Sequence, residues 1–359
     1  MRKGWESMRL TNFVWFQRGF DLPRNNFVEG NVPVYGSTSI LGYHNVSKVK
    51  APGIITGRSG TLGKFQFANE DFWPHNTSLW VKDFKDNDEK FAYYLLQTLD
   101  FTLFNSGGAV PTLNRNLLTA YIVNVPPLET QRKIATILSG YDDLIENNLK
   151  RIKILEEMAQ QTYEEWFVRM RFPGYETAVM NEETGLAEGL ETVKLGEIYD
   201  LKYGKNLQQT DILKEGTFSV YGASGKMGYF TKSNISSKKV LVTSRGNGSG
   251  VVHRTFEDES FVTNNSFVVN TELGLGYTFY NLKKFDLSRF NSGSAQPQLT
   301  NSALLNVEII RPNSQLINDF NLIGNKQIQF IDNLLNQNQR LREARDLLLP
   351  RLMMGIVEV

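Results

Sequence analysis

The chain of 359 residues, 41% of them hydrophobic, has material for two or three buried cores. The absence of cysteine excludes disulfides, thiolate zinc sites and cysteine nucleophiles, as suits a reducing cytoplasm. Net charge is +1, but residues 1–127 hold 13 Lys+Arg against 10 Asp+Glu and residues 190–312 hold 14 against 11, whereas residues 128–189 hold 7 against 12, so two mildly basic bodies with room for nucleic acid flank an acidic stretch.

The N-terminus, Met1-Arg2-Lys3-Gly4-Trp5-Glu6, has no apolar signal-peptide core, and no run of about 18 apolar residues would span a membrane, so a soluble, cytoplasmic protein is expected. The β-branched and aromatic runs at residues 53–57 and 78–82 predict strands, residues 89–100 a helix and residues 113–120 a short one, with Gly-, Ser- and Asn-rich loops elsewhere. After Pro126-Pro127, the residues Ile134, Leu138, Tyr141, Ile145, Asn148, Ile152, Leu155, Ala159, Thr162 and Trp166 step by four and three without a break, the heptad seam of a coiled coil. A helix over residues 128–169 would be roughly 60 Å long at about 1.5 Å per residue, too long for one compact domain. Residues 173–191, with glycines and many acids, read as a linker. Strands at 239–243 and 266–270 and helices at 275–286 and 299–305 follow, then a second seam through Ile331, Leu334, Asn338, Leu341, Arg345, Leu348 and Leu352. The two long helices are expected to pair antiparallel, with Asn148 and Asn338 either enforcing register from the seam or lying on its solvated face.

The second half repeats the first. Val34-Tyr35-Gly36 recurs as Val220-Tyr221-Gly222 and Gly42-Tyr43 as Gly228-Tyr229, both at a shift of 186. Thr56-Gly57-Arg58 through Gly63 aligns with Thr243-Ser244-Arg245 through Gly250, Asn76-Thr77-Ser78 with Asn264-Asn265-Ser266, and Asn105-Ser106-Gly107 with Asn291-Ser292-Gly293. The expected fold is therefore α+β: two similar mixed α/β domains (1–127 and 192–312) separated by two long antiparallel helices (128–172 and 313–359, the latter with a C-terminal tail), in a pseudo-twofold arrangement. Such symmetry suits two half-sites on duplex DNA and two copies of any partner.

Residues 57–64 resemble a phosphate loop but fail on spacing, since Arg58 stands where glycine is needed and Phe65 where Ser or Thr would bind magnesium. The glycines instead position Arg58 and Arg245, either for guanine or phosphate or for a structural salt bridge. Asn76, Asn114, Asn264, Asn265, Gln296 and Gln298 carry amides that suit adenine edges, or else form turns. Tyr35 and Tyr221 suit sugar or base contact, or core packing. The three histidines, at 44, 75 and 253, lack metal-ligand spacing, and no nucleophile elbow or cofactor fingerprint is present, so no catalytic or metal-binding residue is assigned.

Pro126-Pro127-Leu128-Glu129-Thr130-Gln131-Arg132-Lys133-Ile134-Ala135, then Asp142 to Asn148, Met158-Ala159-Gln160 and Trp166-Phe167, closely resembles the first helical region of specificity subunits of Type I restriction–modification systems, and Leu347 to Met353 with Gly355 looks like their C-terminal signature. Arg311-Pro312-Asn313-Ser314-Gln315 departs from the usual start of the second helical region. The resemblance implies a non-catalytic subunit in phage defence, whose two target-recognition domains each read one half of a split DNA site. The helices would set the gap and dock two methyltransferase subunits that carry S-adenosylmethionine and methylate adenine N6. Restriction/translocase subunits using ATP and Mg would complete the complex, with no cofactor in this chain. Expected DNA contacts lie in loops 35–43, 57–64 and 75–78 (Tyr35, Ser37, Arg58, Ser59, Thr61, Lys64, His75, Asn76) and at Asn114 and Arg115. Their counterparts are Tyr221, Ser224, Lys226, Arg245, Asn247, Ser249, Asn264, Asn265, Gln296 and Gln298. Expected partner contacts are Gln131, Arg132, Ile134, Asp142, Trp166, Leu349, Arg351 and Leu352, and the helix seam is centred on Ile145, Asn148, Ile152, Leu334, Asn338 and Leu341. The competing reading is a coiled-coil scaffold whose heads bind ligands other than DNA.

Overall fold

The computed structural model describes residues 4–105, 111–293 and 297–359. Residues 1–147 with 337–359 form one compact unit and residues 148–336 the other. Among the described residues, no helix is long and apolar enough to cross a membrane.

In the first unit, Glu6–Arg9 pairs antiparallel with Ile122–Val125. A four-stranded antiparallel sheet runs in the order Trp15–Arg18, Ser78–Asp83, Gly53–Gly57, Phe65–Ala68. A three-stranded sheet places Val32–Tyr35 between Ile40–His44, antiparallel, and Trp73–Pro74, parallel. Asp88 caps the helix Glu89–Gln97 by accepting a hydrogen bond from the Phe91 amide, and Phe91, Ala92, Leu95 and Leu96 turn one face of it into the core.

The second unit repeats this order. Leu190–Lys194 pairs with Glu308–Pro312, and the four-stranded sheet runs Asp200–Tyr203, Ser266–Asn270, Val240–Thr243, Val252–Arg254. Phe218–Gly222 lies between Gly225–Phe230, antiparallel, and Glu259–Val262, parallel. Both hairpins shift register at the same place, between Val34 and Tyr35 and between Val220 and Tyr221. These hairpins, at 32–44 and 218–230, are strands where the sequence reading assigned loop. Residues 186, 187 and 190, from the stretch read as linker, are buried in the core of the second unit.

The long helices are Leu128–Phe167 and Ser314–Met353. Within the first unit, Asn338 Nδ2 donates to the Ile145 carbonyl oxygen (3.3 Å) and Arg345 to the Asp142 carboxylate. Rising numbers on one helix thus meet falling numbers on the other, which is antiparallel pairing. In the second unit Ile152 clusters with Ile331 and Leu334, while Tyr163, Trp166 and Phe167 stack edge-on against Phe320, the same sense. Asn148 and Asn338 are both buried, so neither lies on a solvated face. An amide satisfied inside an apolar seam disfavours registers that would leave it unpaired. Ile145 is also buried and Leu341 half-buried. Asp332 of the second helix accepts from the buried Arg254 (2.5 Å) and from Lys238 (3.1 Å), fastening that helix to the sheet of its unit.

Candidate nucleic-acid interface

Four loops converge in the first unit, held by backbone and hydroxyl hydrogen bonds. The Arg58 amide donates to the Thr77 carbonyl (3.0 Å), the Leu113 amide to the Arg58 carbonyl (2.7 Å) and the Gly60 amide to the Pro111 carbonyl (2.9 Å). Ser37 Oγ donates to the Thr77 carbonyl (2.9 Å). The second unit makes the same three backbone ties, the Ser244 amide to Asn265 (2.8 Å), Leu299 to Ser244 (2.8 Å) and Gly246 to Pro297 (3.1 Å), and draws in the fourth loop by a different bond, from Thr243 Oγ1 to the Ala223 carbonyl (3.0 Å). The loops singled out from sequence are thus brought together in each unit.

These bonds also correct the alignment of the repeats. Gly57 pairs with Ser78 as Thr243 pairs with Ser266, so Gly57 corresponds to Thr243, Arg58 to Ser244, Ser59 to Arg245 and Gly60 to Gly246. The extra residue of the second copy falls after this point, because Gly63 packs near Phe101 as Gly250 packs near Leu287, a shift of 187 in place of 186. Successive residues of an extended segment point to opposite faces, so Arg58 and Arg245 are not counterparts. The Thr-Gly-Arg and Thr-Ser-Arg likeness misled the alignment by one position.

Neither arginine forms an ion pair among the described residues, which removes the structural salt bridge as their role there. Arg58 is half-buried, with Nε enclosed and without a hydrogen-bond partner, whereas Arg245 and Asn247 are exposed. Arg58 lines a cleft of about 750 Å³ together with Gln17, Arg18, Asn114, Arg115 and Asn116. Asn114 caps the short helix Arg115–Ala120 by accepting from the Asn116 amide (3.0 Å). Arg18 and Gln17 escaped sequence reading because they lie on a strand about 40 residues before the loop, with Tyr203 and Lys202 at the matching places in the second copy.

The remaining candidates divide by accessibility. Thr61, Lys64, Arg115 and Ser224 are exposed, and Ser37, Ser59, His75, Asn76, Asn264, Asn265 and Gln298 are partly so. His75 is held by Thr77 Oγ1 (2.9 Å) and the Leu22 carbonyl (3.2 Å), and Asn76 donates to Asp21. Tyr35 is buried against Phe72. Tyr221 is fully buried, and its hydroxyl donates to Glu257 (2.6 Å); burial, reinforced by that carboxylate, raises its pKa. Glu257 in turn is held below the usual carboxylate range: burial opposes ionisation, but the Tyr221 and Ser219 hydrogen bonds and the Lys226 charge outweigh it. Lys226 is exposed but engaged with Glu257 (3.3 Å) and lies over the Tyr229 ring. Ser249 is buried and donates to Asn291 Oδ1 (2.7 Å). Tyr35, Tyr221 and Ser249 are therefore framework residues, Tyr221 with no exposed surface and the other two with little. Gln296 lies outside the described residues.

Several expected partner contacts are likewise internal. Gln131 is buried; its Nε2 donates to Asn87 Oδ1 (2.9 Å) and the Pro126 carbonyl (3.0 Å), and its Oε1 accepts from the Asp88 amide (3.0 Å), tying the start of the long helix to the cap of the preceding one. Ile134, Trp166 and Leu352 are core residues, Leu349 packs against the core, and Asp142 binds Tyr94 (2.5 Å) and Arg345. Arg132 and Arg351 remain exposed.

Comparison with known proteins agrees with this arrangement. The family model described as the Type I restriction modification DNA specificity domain matches residues 2–157 and 187–345. The Type I restriction enzyme MjaIX specificity subunit of Methanocaldococcus jannaschii is 26% identical over 299 residues, covering 75% of this chain and 69% of that one. A putative type I specificity subunit of Mycoplasma pneumoniae is 23% identical over 288 residues, covering 76% and 75%. In fold, the chain is similar to the crystal structure of a Type-I restriction-modification system S subunit from M. genitalium, with a TM-score of 0.68 and 21% identity over 97% of this chain and 96% of that one. With both repeats inside the matched residues, the chain belongs to the family of Type I restriction-modification DNA specificity domains.

Proposed function

We propose that each unit reads one half of a bipartite, asymmetric DNA site, that the long helices set the gap between the halves, and that two methyltransferase subunits dock on those helices and methylate adenine at N6. The observation that carries this reading is the repeated convergence of the same four loops, once in each unit, with differing side chains on the same framework. A shared framework with different side chains favours two readers of different sequence. Partners related by the repeat would find matching surfaces on the helices. Ile137 (38% exposed) and Leu144 (53%) lie one heptad apart on the first, and Ile323 (36%) and Phe330 (59%) stand at the same repeat positions on the second. Exposed apolar pairs on a helix already partnered along its seam suit protein docking. The methyl-transfer chemistry, with S-adenosylmethionine and a flipped adenine, belongs to those partners, as ATP and Mg belong to the motor-nuclease subunits.

The test is the methylation pattern of DNA modified by the complex carrying Arg245→Ala. Recognition should relax or shift in one half-site only. Equal loss in both halves would contradict independent reading by the two units.

A further inference from the structure

The two units differ in charge at one set of equivalent positions. In the first unit Arg18, Arg58 and Arg115 line a single cleft of about 750 Å³. None of the three pairs with a carboxylate among the described residues: Arg18 Nε donates to the Asn76 carbonyl (3.3 Å), and Arg58 Nε is enclosed without any acceptor. The strand pairings match Arg18, opposite Leu79, to Tyr203, opposite Phe267. Arg58, accepting from Leu113, matches Ser244, accepting from Leu299, and Arg115, first in its short helix, matches Asn301, first in Asn301–Leu305. Asn301 is spent on the protein itself, donating to the Leu201 carbonyl (3.0 Å). Three cations of the first unit thus stand where the second has neutral side chains, while Lys202, at the place of Gln17, is paired with Asp200 (2.9 Å), and Arg245, at the place of Ser59, is exposed.

Grouping three guanidinium ions without a counter-ion is unfavourable in the free protein unless an anion joins them. Their planar donors match phosphate oxygens, and the flanking Gln17, Asn114 and Asn116 offer neutral donors beside them. We propose that this cleft is a backbone-phosphate anchor present in the first unit only, adding a salt-dependent grip on DNA that the second unit does not supply from the equivalent positions. This rests on the DNA-reading function proposed above and assigns the arginines to positioning, independent of base sequence.

The experiment uses the full chain assembled with its methyltransferase subunits, titrated with cognate and scrambled duplexes across a range of salt concentrations. The triple variant Arg18→Gln, Arg58→Gln, Arg115→Gln should bind both duplexes more weakly by a similar factor. The slope of log affinity against log salt should fall by about 2 to 3, since each phosphate contact contributes about 0.9. The corresponding triple Arg→Lys variant should retain most of the slope, which separates lost charge from a damaged fold. Arg245→Gln should leave the slope almost unchanged. An unchanged slope in the triple Gln variant, a loss confined to one base pair of the cognate site, or a slope change from Arg245→Gln as large as that per arginine of the triple variant would each overturn the anchor. Those outcomes leave the DNA-reading function intact, whereas a wild-type complex that binds cognate and scrambled duplexes equally would overturn both.

Discussion

His253 lies on the strand Val252–Arg254 with both ring nitrogens enclosed and without a hydrogen-bond partner among the described residues, and burial pushes its pKa down to about 4. The unfolded chain keeps the ordinary value near 6.5, so on acidification it binds a proton before the folded chain does. The stability contributed by the neutral ring is complete above about pH 6.5 and is lost as pH falls toward 4, about 2 kcal/mol of it by pH 5. His253→Leu should therefore weaken the fall in urea-unfolding stability of the second unit between pH 7 and pH 5. A variant whose stability falls as steeply as the wild type would show that other groups govern this range. Sequence spacing excluded a metal role for this histidine but could not reveal its enclosure in the folded chain. The same limit explains the misplaced alignment of Arg58 with Arg245. Identical side chains one position apart look equivalent in sequence, and only the ladder partners Ser78 and Ser266 show which residue occupies which face.

The elements that were legible are those with a long, regular period. Forty-residue helices carry their seam in the sequence, and every seam residue from Ile134 to Trp166 is buried or half-buried, with Tyr163 and Phe167 widening the buried stripe where the helix enters the core of the second unit. The hairpins at 32–44 and 218–230 were hidden because strands of four to six residues, broken by Pro33, Gly42 and Gly228, give too few alternations to read. Their order is set by long-range parallel pairing with Trp73–Pro74 and Glu259–Val262, which no local pattern encodes. The helix seam leads to a mechanical prediction for the proposed gap setting. Removing one heptad from each long helix keeps the seam in phase and shortens each by about 10 Å. The preferred gap should shrink by about three base pairs, at about 3.4 Å per pair. Methylation sites with an unchanged gap would refute the helices as its determinant, whereas removing four residues from one helix alone should disrupt pairing.

At the scale of the molecule, duplication was the most legible property, since short motifs recur in the same order at shifts of 186 to 188, and it bears on partner number. Ile137 and Leu144 recur as Ile323 and Phe330 at the same shift of 186, and all four are exposed although the seams beside them are closed. Residues outside a packed core contribute little to folding, so charged substitutions there should leave the fold intact, within about 0.5 kcal/mol. In a docking surface the same change would bury an unpaired carboxylate, at a cost large enough to abolish binding. Leu144→Asp and Phe330→Asp should therefore each reduce the complex from two methyltransferase subunits to one, and the double variant should bind none, as read by native mass spectrometry. The second helical region begins differently, at Arg311-Pro312-Asn313, where Arg311 is drawn to Glu191 (2.7 Å). The two docking sites should consequently differ in affinity, with single-subunit complexes of the two variants forming at different partner concentrations. If each single variant still bound two subunits, or if either lost both at once, the repeat would not be the basis of partner number.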